Sequence, residues 1–354
     1  MADSKKTASI GVRIIGVIIP LLIFVAVSEL VLNLFDTDLY FKNQFFPVNR
    51  DIDFCDIYKK DPHLFWTFRE NITTKSEQFS YLTYHINSHG FRGPEFEKEK
   101  KNYRILALGN SCTFGWGVDQ DYTWVSQLEK ILERQFPDNN CEVINAGIPG
   151  YSSHQGKILL KEKLLDLKPD MVLIMFGWND HFAAGKGISD LEQKMPGRFI
   201  IGLQNFFSRF KTYQLMRKII LSASEKQEFV SLGQMEGKRR VSPQEFYVNL
   251  AAIAHLAREN NAQPVLLVPP IACAQTYFNG TLSQLHVIHQ AYQNRIRAVA
   301  QKEHIPLIDL QAEFDRYRDL FTDAYGDPTH FNENGHRLTA ETIAGQIMPN
   351  LASR

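Results

Sequence analysis

The sequence predicts an α/β fold of three layers, with a parallel sheet between two layers of helices and one transmembrane helix before the domain. Three observations predict it. Short apolar strands alternate with helical segments of roughly 10 to 20 residues from residue 103 onward. Polar and glycine-containing motifs follow the strands. A long apolar run stands near the N-terminus.

The predicted sheet has five strands, each a short and mostly apolar run. The run at 171–176 is apolar throughout, as expected of a strand buried on both faces of a parallel sheet. In the helix predicted at 123–136, Trp124, Leu128 and Leu132 share one face. The strands are predicted at 103–108, 142–144, 171–176, 264–268 and 306–310, and the helices at 123–136, 155–167, 244–260 and 283–302.

The apolar run at 14–35 is long enough to cross a bilayer, which takes about 20 residues. Its single charged residue is Glu29, which can reach the interface and for which no function is predicted. The positive-inside rule places residues 1–13 in the cytoplasm and the rest of the chain outside it. A cleaved signal peptide ending near Ser28 is the alternative interpretation. The flanking charges are Lys5, Lys6 and Arg13 before the run, and Asp36 and Asp38 after it.

Composition excludes a nucleic-acid partner and favours no metal or cofactor. Basic and acidic residues both number 39, so the formal net charge is zero, whereas a nucleic-acid surface needs a basic excess. The four cysteines lack CxxC spacing, and a disulfide outside the cytoplasm stays open. Cys112 is interpreted as a small buried apolar residue. Residues 36–102 predict an irregular lead-in to a domain at 103–354.

Four polar motifs follow predicted strands, where the ligand sites of parallel sheets form. A serine such as Ser111, on a strand-to-helix turn, lies near the positive end of the helix, although it can also be only a helix cap. Asn179 can donate to an oxyanion or form an Asx turn. Asp327 and His330 can face one pocket. The motifs are Gly109-Asn110-Ser111, Asn145-Ala146-Gly147 with Gly150, Gly177 with Asn179-Asp180, and Asp327 with His330.

The ordered set of four motifs resembles the SGNH (GDSL-like) hydrolase family over residues 103–345. The lead-in motif Asn87-Ser88 with Gly90-Phe91-Arg92-Gly93 resembles that of the membrane-anchored bacterial members. The resemblance implies a serine ester hydrolase with Ser111 as nucleophile, His330 as base and Asp327 as the acid of the triad. It also implies an oxyanion hole made by the N–H groups of Ser111 and Gly150 and by the Asn179 side chain.

The sequence departs from the family pattern at one position of the first motif. Asn110 stands where the family usually has Asp, which puts the geometry of the turn in doubt rather than the reaction class. His336 is the competing imidazole, but Glu333 stands where the family would place its acid.

The expected reaction is hydrolysis of acyl esters outside the cytoplasm, with O-acetyl groups of a surface polysaccharide as one substrate class. A lysophospholipase or thioesterase is the second interpretation, and a non-catalytic carbohydrate-binding or scaffold protein of the envelope is the third. A basic and aromatic insertion at about 185–240 is either a cap over the site that touches the membrane, or a pair of amphipathic helices packed on the core.

Overall fold

The computed structural model describes residues 10–35, 57–75, 81–137, 141–223, 237–272, 281–324 and 326–352. Within them the strands are β1 (Tyr58–Asp61), β2 (Phe65–Phe68), β3 (Ile72–Lys75), β4 (Thr83–Ile86), β5 (Tyr103–Gly109), β6 (Cys141–Gly147), β7 (Met171–Met175), β8 (Gln263–Val268), β9 (Leu307–Asp309), β10 (Phe321–Asp323) and β11 (Asp327–Phe331). The α-helices are α1 (Ile10–Leu34), α2 (Ser111–Phe114), α3 (Trp124–Gln135), α4 (Ser153–Leu159), α5 (Arg198–Phe207), α6 (Lys211–Ala223), α7 (Pro243–Glu259), α8 (Thr281–Lys302), α9 (Leu310–Phe314) and α10 (Glu333–Ala352).

Five strands form one parallel sheet in the order β6-β5-β7-β8-β9, which confirms the predicted sheet. β6 and β7 lie on opposite sides of β5, so that Ala107 has Asn145 on one side and Leu173 on the other. The strand order therefore reverses at β5. In open α/β sheets, ligands bind beyond the carboxyl ends of the strands at such a point.

Helices cover both faces of this sheet, which confirms the predicted three layers. Leu106 and Ile174 belong to a core shared with α4, α7 and α8. Ala107 and Leu173 belong to a core shared with α3, α9 and α10. Since successive side chains of a strand point to opposite faces, neighbours such as Leu106 and Ala107 lie in different cores.

The lead-in differs from the irregular segment expected at 36–102. Its described part contains two antiparallel hairpins, β1–β2 and β3–β4. Their aromatic rings pack on α2, with ring centroids 5.4 Å apart for Phe68 and Phe114 and 5.1 Å apart for Tyr84 and Phe114. All four residues of β2 are buried, so the polar and apolar alternation that identifies a half-buried strand is missing there.

The segment that carries Asp327 and His330 is also a strand rather than the expected loop. β11 pairs with β10, and Phe331 packs against Phe314 and Phe321. These aromatic contacts come from tertiary packing and stabilise a strand in a stretch whose polar composition favours a loop.

Within the N-terminal helix α1, the segment Gly16–Leu34 is a candidate span of 19 residues with a mean hydropathy of 2.5. Its length and composition suffice to cross a bilayer, although a signal sequence would pass the same test. The assignment of residues 1–13 to the cytoplasm therefore stays a prediction. Cys55 and Cys273 lie outside the described residues, while Cys112 and Cys141 are buried free thiols.

Candidate active site

The turn between β5 and α2 places Ser111 at the carboxyl end of β5. Asn110 is the N-cap of α2, and its side-chain oxygen accepts a hydrogen bond from the Cys112 N–H at 3.0 Å. Gly115 ends α2 in the left-handed region, at a φ of 88°. Ser111 is thus the first residue of a short helix, with its backbone N–H among the donors that a helix N-terminus leaves unpaired.

Ser111, His330 and Asp327 form a continuous chain of hydrogen bonds. The Ser111 Oγ lies 2.8 Å from the His330 Nε2. The His330 Nδ1 lies 2.6 Å from the Asp327 Oδ2. This is the contact pattern of a nucleophile, a base and an orienting carboxylate. The structure brings together three residues that the sequence places 219 and 3 positions apart.

The electrostatic setting of Asp327 favours its ionised form. Burial opposes ionisation, but the charge and hydrogen bond of His330 and the N–H groups of Thr329 and His330 outweigh it and lower the Asp327 pKa. The carboxylate is therefore charged at neutral pH and can stabilise a proton on the imidazole.

Two backbone N–H groups, those of Ser111 and Gly150, donate no hydrogen bond within the part of the chain that the structure describes. Gly150 has a φ of 81°, a conformation that favours glycine. The Asn179 amide donates to the Tyr151 carbonyl at 3.1 Å, which brings Asn179 to the same loop.

Gly147 has a structural role instead. A Cβ atom built on Gly147 would lie 2.2 Å from the Phe114 N, so glycine is required for α2 to approach the end of β6. This distance accounts for the glycine of the Asn145-Ala146-Gly147 motif without an oxyanion role.

The structure adds a buried polar network that sequence reasoning did not predict. Arg240 donates to the Gly150 carbonyl at 2.8 Å and to the Asp190 Oδ2 at 2.8 Å. The Ser152 hydroxyl donates to the same carboxylate at 2.6 Å. Arg240 ends the basic run Lys238-Arg239-Arg240, which looks like a solvated surface segment, so nothing local in the sequence marks it. The network fixes the turn that carries Gly150.

Asp180 joins the third motif to the second. Its carboxylate accepts from the Gly177 N–H at 3.0 Å, the Ser153 N–H at 2.8 Å and the Ser153 hydroxyl at 2.6 Å. Burial raises the Asp180 pKa to about 6, against these hydrogen bonds. The Asn179-Asp180 pair therefore combines one side chain at the site with one that holds the loops together.

His336 and Cys112 are buried structural groups. The His336 Nδ1 accepts from the Trp124 N–H at 3.1 Å, at the start of α3, and burial lowers the His336 pKa to about 3. A neutral imidazole that accepts from the helix N-terminus is a cap. Cys112 is 1% exposed, and burial raises the pKa of its thiol, so it carries little thiolate.

The described lead-in also holds the turn that carries Ser111 in place. The buried Arg92 guanidinium donates to the carbonyl oxygens of Phe114, Gly115 and Val118 at distances of 3.0, 2.6 and 2.7 Å. Burial lowers the Arg92 pKa to about 10, so it stays charged at neutral pH. Carbonyl groups at the end of α2 are favourable partners for such a cation.

Comparison with known proteins identifies the family. The model of the GDSL-like Lipase/Acylhydrolase family matches residues 107–338. The chain belongs to this family. The match begins inside β5, just before Ser111, and ends in α10 beyond His330, so it contains the whole site of this acylhydrolase.

Two curated relatives and several solved structures are similar to the acylhydrolase. The lipoprotein YqeF of Bacillus subtilis is 24% identical over 268 residues, which are 69% of this chain and 89% of YqeF. The esterase TesA of Pseudomonas aeruginosa is 33% identical over 91 residues, 26% of this chain and 44% of TesA.

Among solved structures, a lipase/acylhydrolase from Enterococcus faecalis has a TM-score of 0.46 at 18% identity, covering 70% of this chain and 96% of its own. The acetyl xylan esterase Axe2 from Geobacillus stearothermophilus has a TM-score of 0.45 at 17% identity, covering 71% and 97%.

Proposed function

We propose that this acylhydrolase cleaves acyl or O-acetyl esters outside the cytoplasm, with Ser111, His330 and Asp327 as its catalytic triad. The observation that supports this best is the hydrogen-bonded chain from Ser111 through His330 to Asp327, with distances of 2.8 and 2.6 Å. The relative TesA is an esterase by name.

The mechanism follows from the contacts of each group. The Ser111 Oγ attacks the ester carbonyl while His330 takes its proton, and His330 then gives that proton to the leaving alcohol. Water, activated by the same imidazole, hydrolyses the acyl-serine. Asp327 accepts from the Nδ1–H throughout, so that Nε2 faces the serine.

The oxyanion formed in each step needs donors that are already in place. We assign this role to the N–H groups of Ser111 and Gly150 and to the Asn179 amide. Loss of one such donor typically costs about 2.7–4 kcal/mol of transition-state stabilisation. Asn179 would exchange its present acceptor, the Tyr151 carbonyl, for the oxyanion.

The location outside the cytoplasm rests on α1 and the charges around it. The span Gly16–Leu34 is apolar enough to cross a bilayer, and the basic residues before it favour a cytoplasmic N-terminus. The relative YqeF is a lipoprotein by name.

The decisive experiment is labelling of the full chain in detergent with a serine-reactive fluorophosphonate. We expect labelling of the wild type, none of Ser111→Ala and strong reduction in His330→Ala. His336→Ala is the control for loss of a nearby imidazole, and should keep its label if folded. A folded wild-type protein that is not labelled would contradict the triad and favour the non-catalytic interpretation.

The acyl preference is measured with p-nitrophenyl esters of increasing chain length. Preference for acetyl supports removal of O-acetyl groups. Preference for long chains would support a lysophospholipase or thioesterase on the same triad.

A further inference from the structure

The helical pair α5–α6 contacts the domain through polar side chains. The Asn205 side chain accepts from the Lys60 N–H and donates to the Lys60 carbonyl, both at 2.9 Å. The Ser208 hydroxyl accepts from Arg69 at 3.0 Å. A helix on the surface of a globular protein normally turns its apolar face to the core. In α5 the faces are reversed, apart from Ile201, which is buried.

The outward face of α5 carries large apolar side chains. Phe199 is 76% exposed and Phe206 is 53% exposed. The helix α6 also exposes three large apolar residues, Met216, Ile219 and Ile220. A large exposed apolar surface marks an interaction site. The exposed apolar residues of α5 and the turn after it are Phe199, Ile200, Leu203, Phe206, Phe207 and Phe210.

This surface is joined to the candidate span. The Glu29 carboxylate of α1 accepts from the Lys211 N–H at 3.0 Å, the Thr212 N–H at 2.8 Å and the Thr212 hydroxyl at 2.9 Å. A charged residue inside an apolar span is costly unless it is paired, and these bonds satisfy it. Glu29 lies about one and a half turns before Leu34, the end of α1. α6 therefore begins where α1 would leave the bilayer.

We propose that α5–α6 is a second membrane contact, lying in the interface of the bilayer that α1 spans with its apolar face among the acyl chains. Lipid is favoured over a second copy of this chain as the occupant of this surface, because Glu29 joins the start of α6 to the apolar helix α1. Phenylalanines at this level suit the interfacial region. Arg198 and Arg209 are exposed beside them and complement anionic head groups.

The catalytic domain is then held on the membrane by α5–α6 as well as by the chain that follows α1. This second contact does not depend on ester hydrolysis. It requires that the domain stay on the membrane when its covalent link to α1 is cut.

The experiment uses the full chain with a protease site inserted within residues 36–56, reconstituted in vesicles of phosphatidylethanolamine and phosphatidylglycerol. After cleavage, the vesicles are floated in high salt and the domain is located by gel. We expect the wild-type domain to float with the vesicles, and the variant to remain at the bottom. The variant carries Phe199→Ser, Leu203→Ser, Phe206→Ser and Phe210→Ser. The control carries four other exposed residues changed to serine, namely Tyr122, Val248, Val287 and Tyr317, and should float.

Three outcomes would overturn the proposal. One is release of the wild-type domain on cleavage, which needs no variant to fold. A second is flotation of the serine variant to the same extent as the wild type. If that variant also changes its oligomeric mass in detergent, the apolar face is a contact between copies of this chain. The third is release by Glu29→Gln but not by the serine variant, which would mean that α1 alone holds the domain. Fluorophosphonate labelling, measured in parallel, reports on the triad separately.

Discussion

Asp327 is connected to the proposed nucleophile Ser111 through His330, whose Nδ1 lies 2.6 Å from the Asp327 carboxylate. Its side chain also accepts from the N–H groups of Thr329 and His330. At this scale the site depends on which atoms each group touches. Asn110 shows this too, because its oxygen caps α2 while its Nδ2 is buried without a partner among the described residues.

Replacing Asp327 by Asn should reduce kcat by a factor on the order of 10⁴, because an amide can donate to Nδ1 and favour the wrong imidazole tautomer. KM should change little, because no substrate contact is removed. The measurement is steady-state hydrolysis of an acetyl ester by the full chain. Asp323→Asn is the matched control on the neighbouring strand, and a comparable loss there would contradict the assignment.

Cys112→Ala should leave hydrolysis within a few-fold of wild type and lower the free energy of unfolding by about 1 kcal/mol, as expected for one small buried group. The buried thiol has a raised pKa, so alkylating agents should not inactivate the folded protein through it. Mass spectrometry of the alkylated native chain checks this. A folded Cys112→Ala protein without fluorophosphonate labelling would refute the structural interpretation.

At the scale of elements, three segments outside the sheet hold the carboxyl end of β5. The lead-in contributes Arg92 to the end of α2. The far end of the insertion contributes Arg240 to the Gly150 turn. The strand pair β10–β11 positions His330 through the packing of Phe331. None of these segments is part of the repeating strand and helix pattern.

Arg240→Met should destabilise the fold by about 3–5 kcal/mol, because it leaves the Asp190 carboxylate buried without its cation. In the variant that still folds, displacement of Gly150 should lower kcat about tenfold or more with little change in KM. Thermal unfolding and steady-state kinetics measure the two effects.

Lys238→Met removes the cation of an exposed pair with Glu192 and is the control. An Arg240→Met protein that is destabilised but has an unchanged kcat would show that the network supports the fold and does not position the oxyanion donor.

At the scale of the whole molecule, three fully buried imidazoles couple stability to pH. Burial lowers the pKa of His289 to about 3 and of His336 to about 3, and that of His181 well below its usual range. Below about pH 6.5 the unfolded chain binds protons that the folded chain does not, so stability falls as the pH falls toward 3. Asp180, with its pKa raised to about 6, opposes this between about pH 6 and 4.

The melting temperature of the full chain in detergent should therefore decrease from about pH 7 to about pH 5. Each imidazole contributes roughly 1.4 kcal/mol per pH unit once the unfolded state is protonated. His336→Asn, which keeps an acceptor for the Trp124 N–H, should reduce this slope by one imidazole's share. The exposed His255→Asn is the control. A melting temperature that rises toward pH 5 would contradict the neutral state of these residues.

The sequence by itself determined the parallel sheet, because short and mostly apolar strands alternate with helices that are apolar on one face, a pattern typical of a sheet covered by helices on both faces. It also indicated Ser111, His330 and Asp327 as the proposed triad, since the four motifs match the ordered family pattern. Each motif is a local signal, readable within a few residues.

Only the tertiary structure decided the features that depend on partners distant in sequence. The hairpins of the lead-in are stabilised by the Phe114 ring of α2. Arg240 is paired with the Asp190 carboxylate, 50 positions away, and the Glu29 carboxylate accepts hydrogen bonds from α6. A charged residue has the same local signal whether it is solvated or buried. The physical reason is that burial and pairing, rather than residue type, determine whether a charge positions a site, caps a helix or faces water.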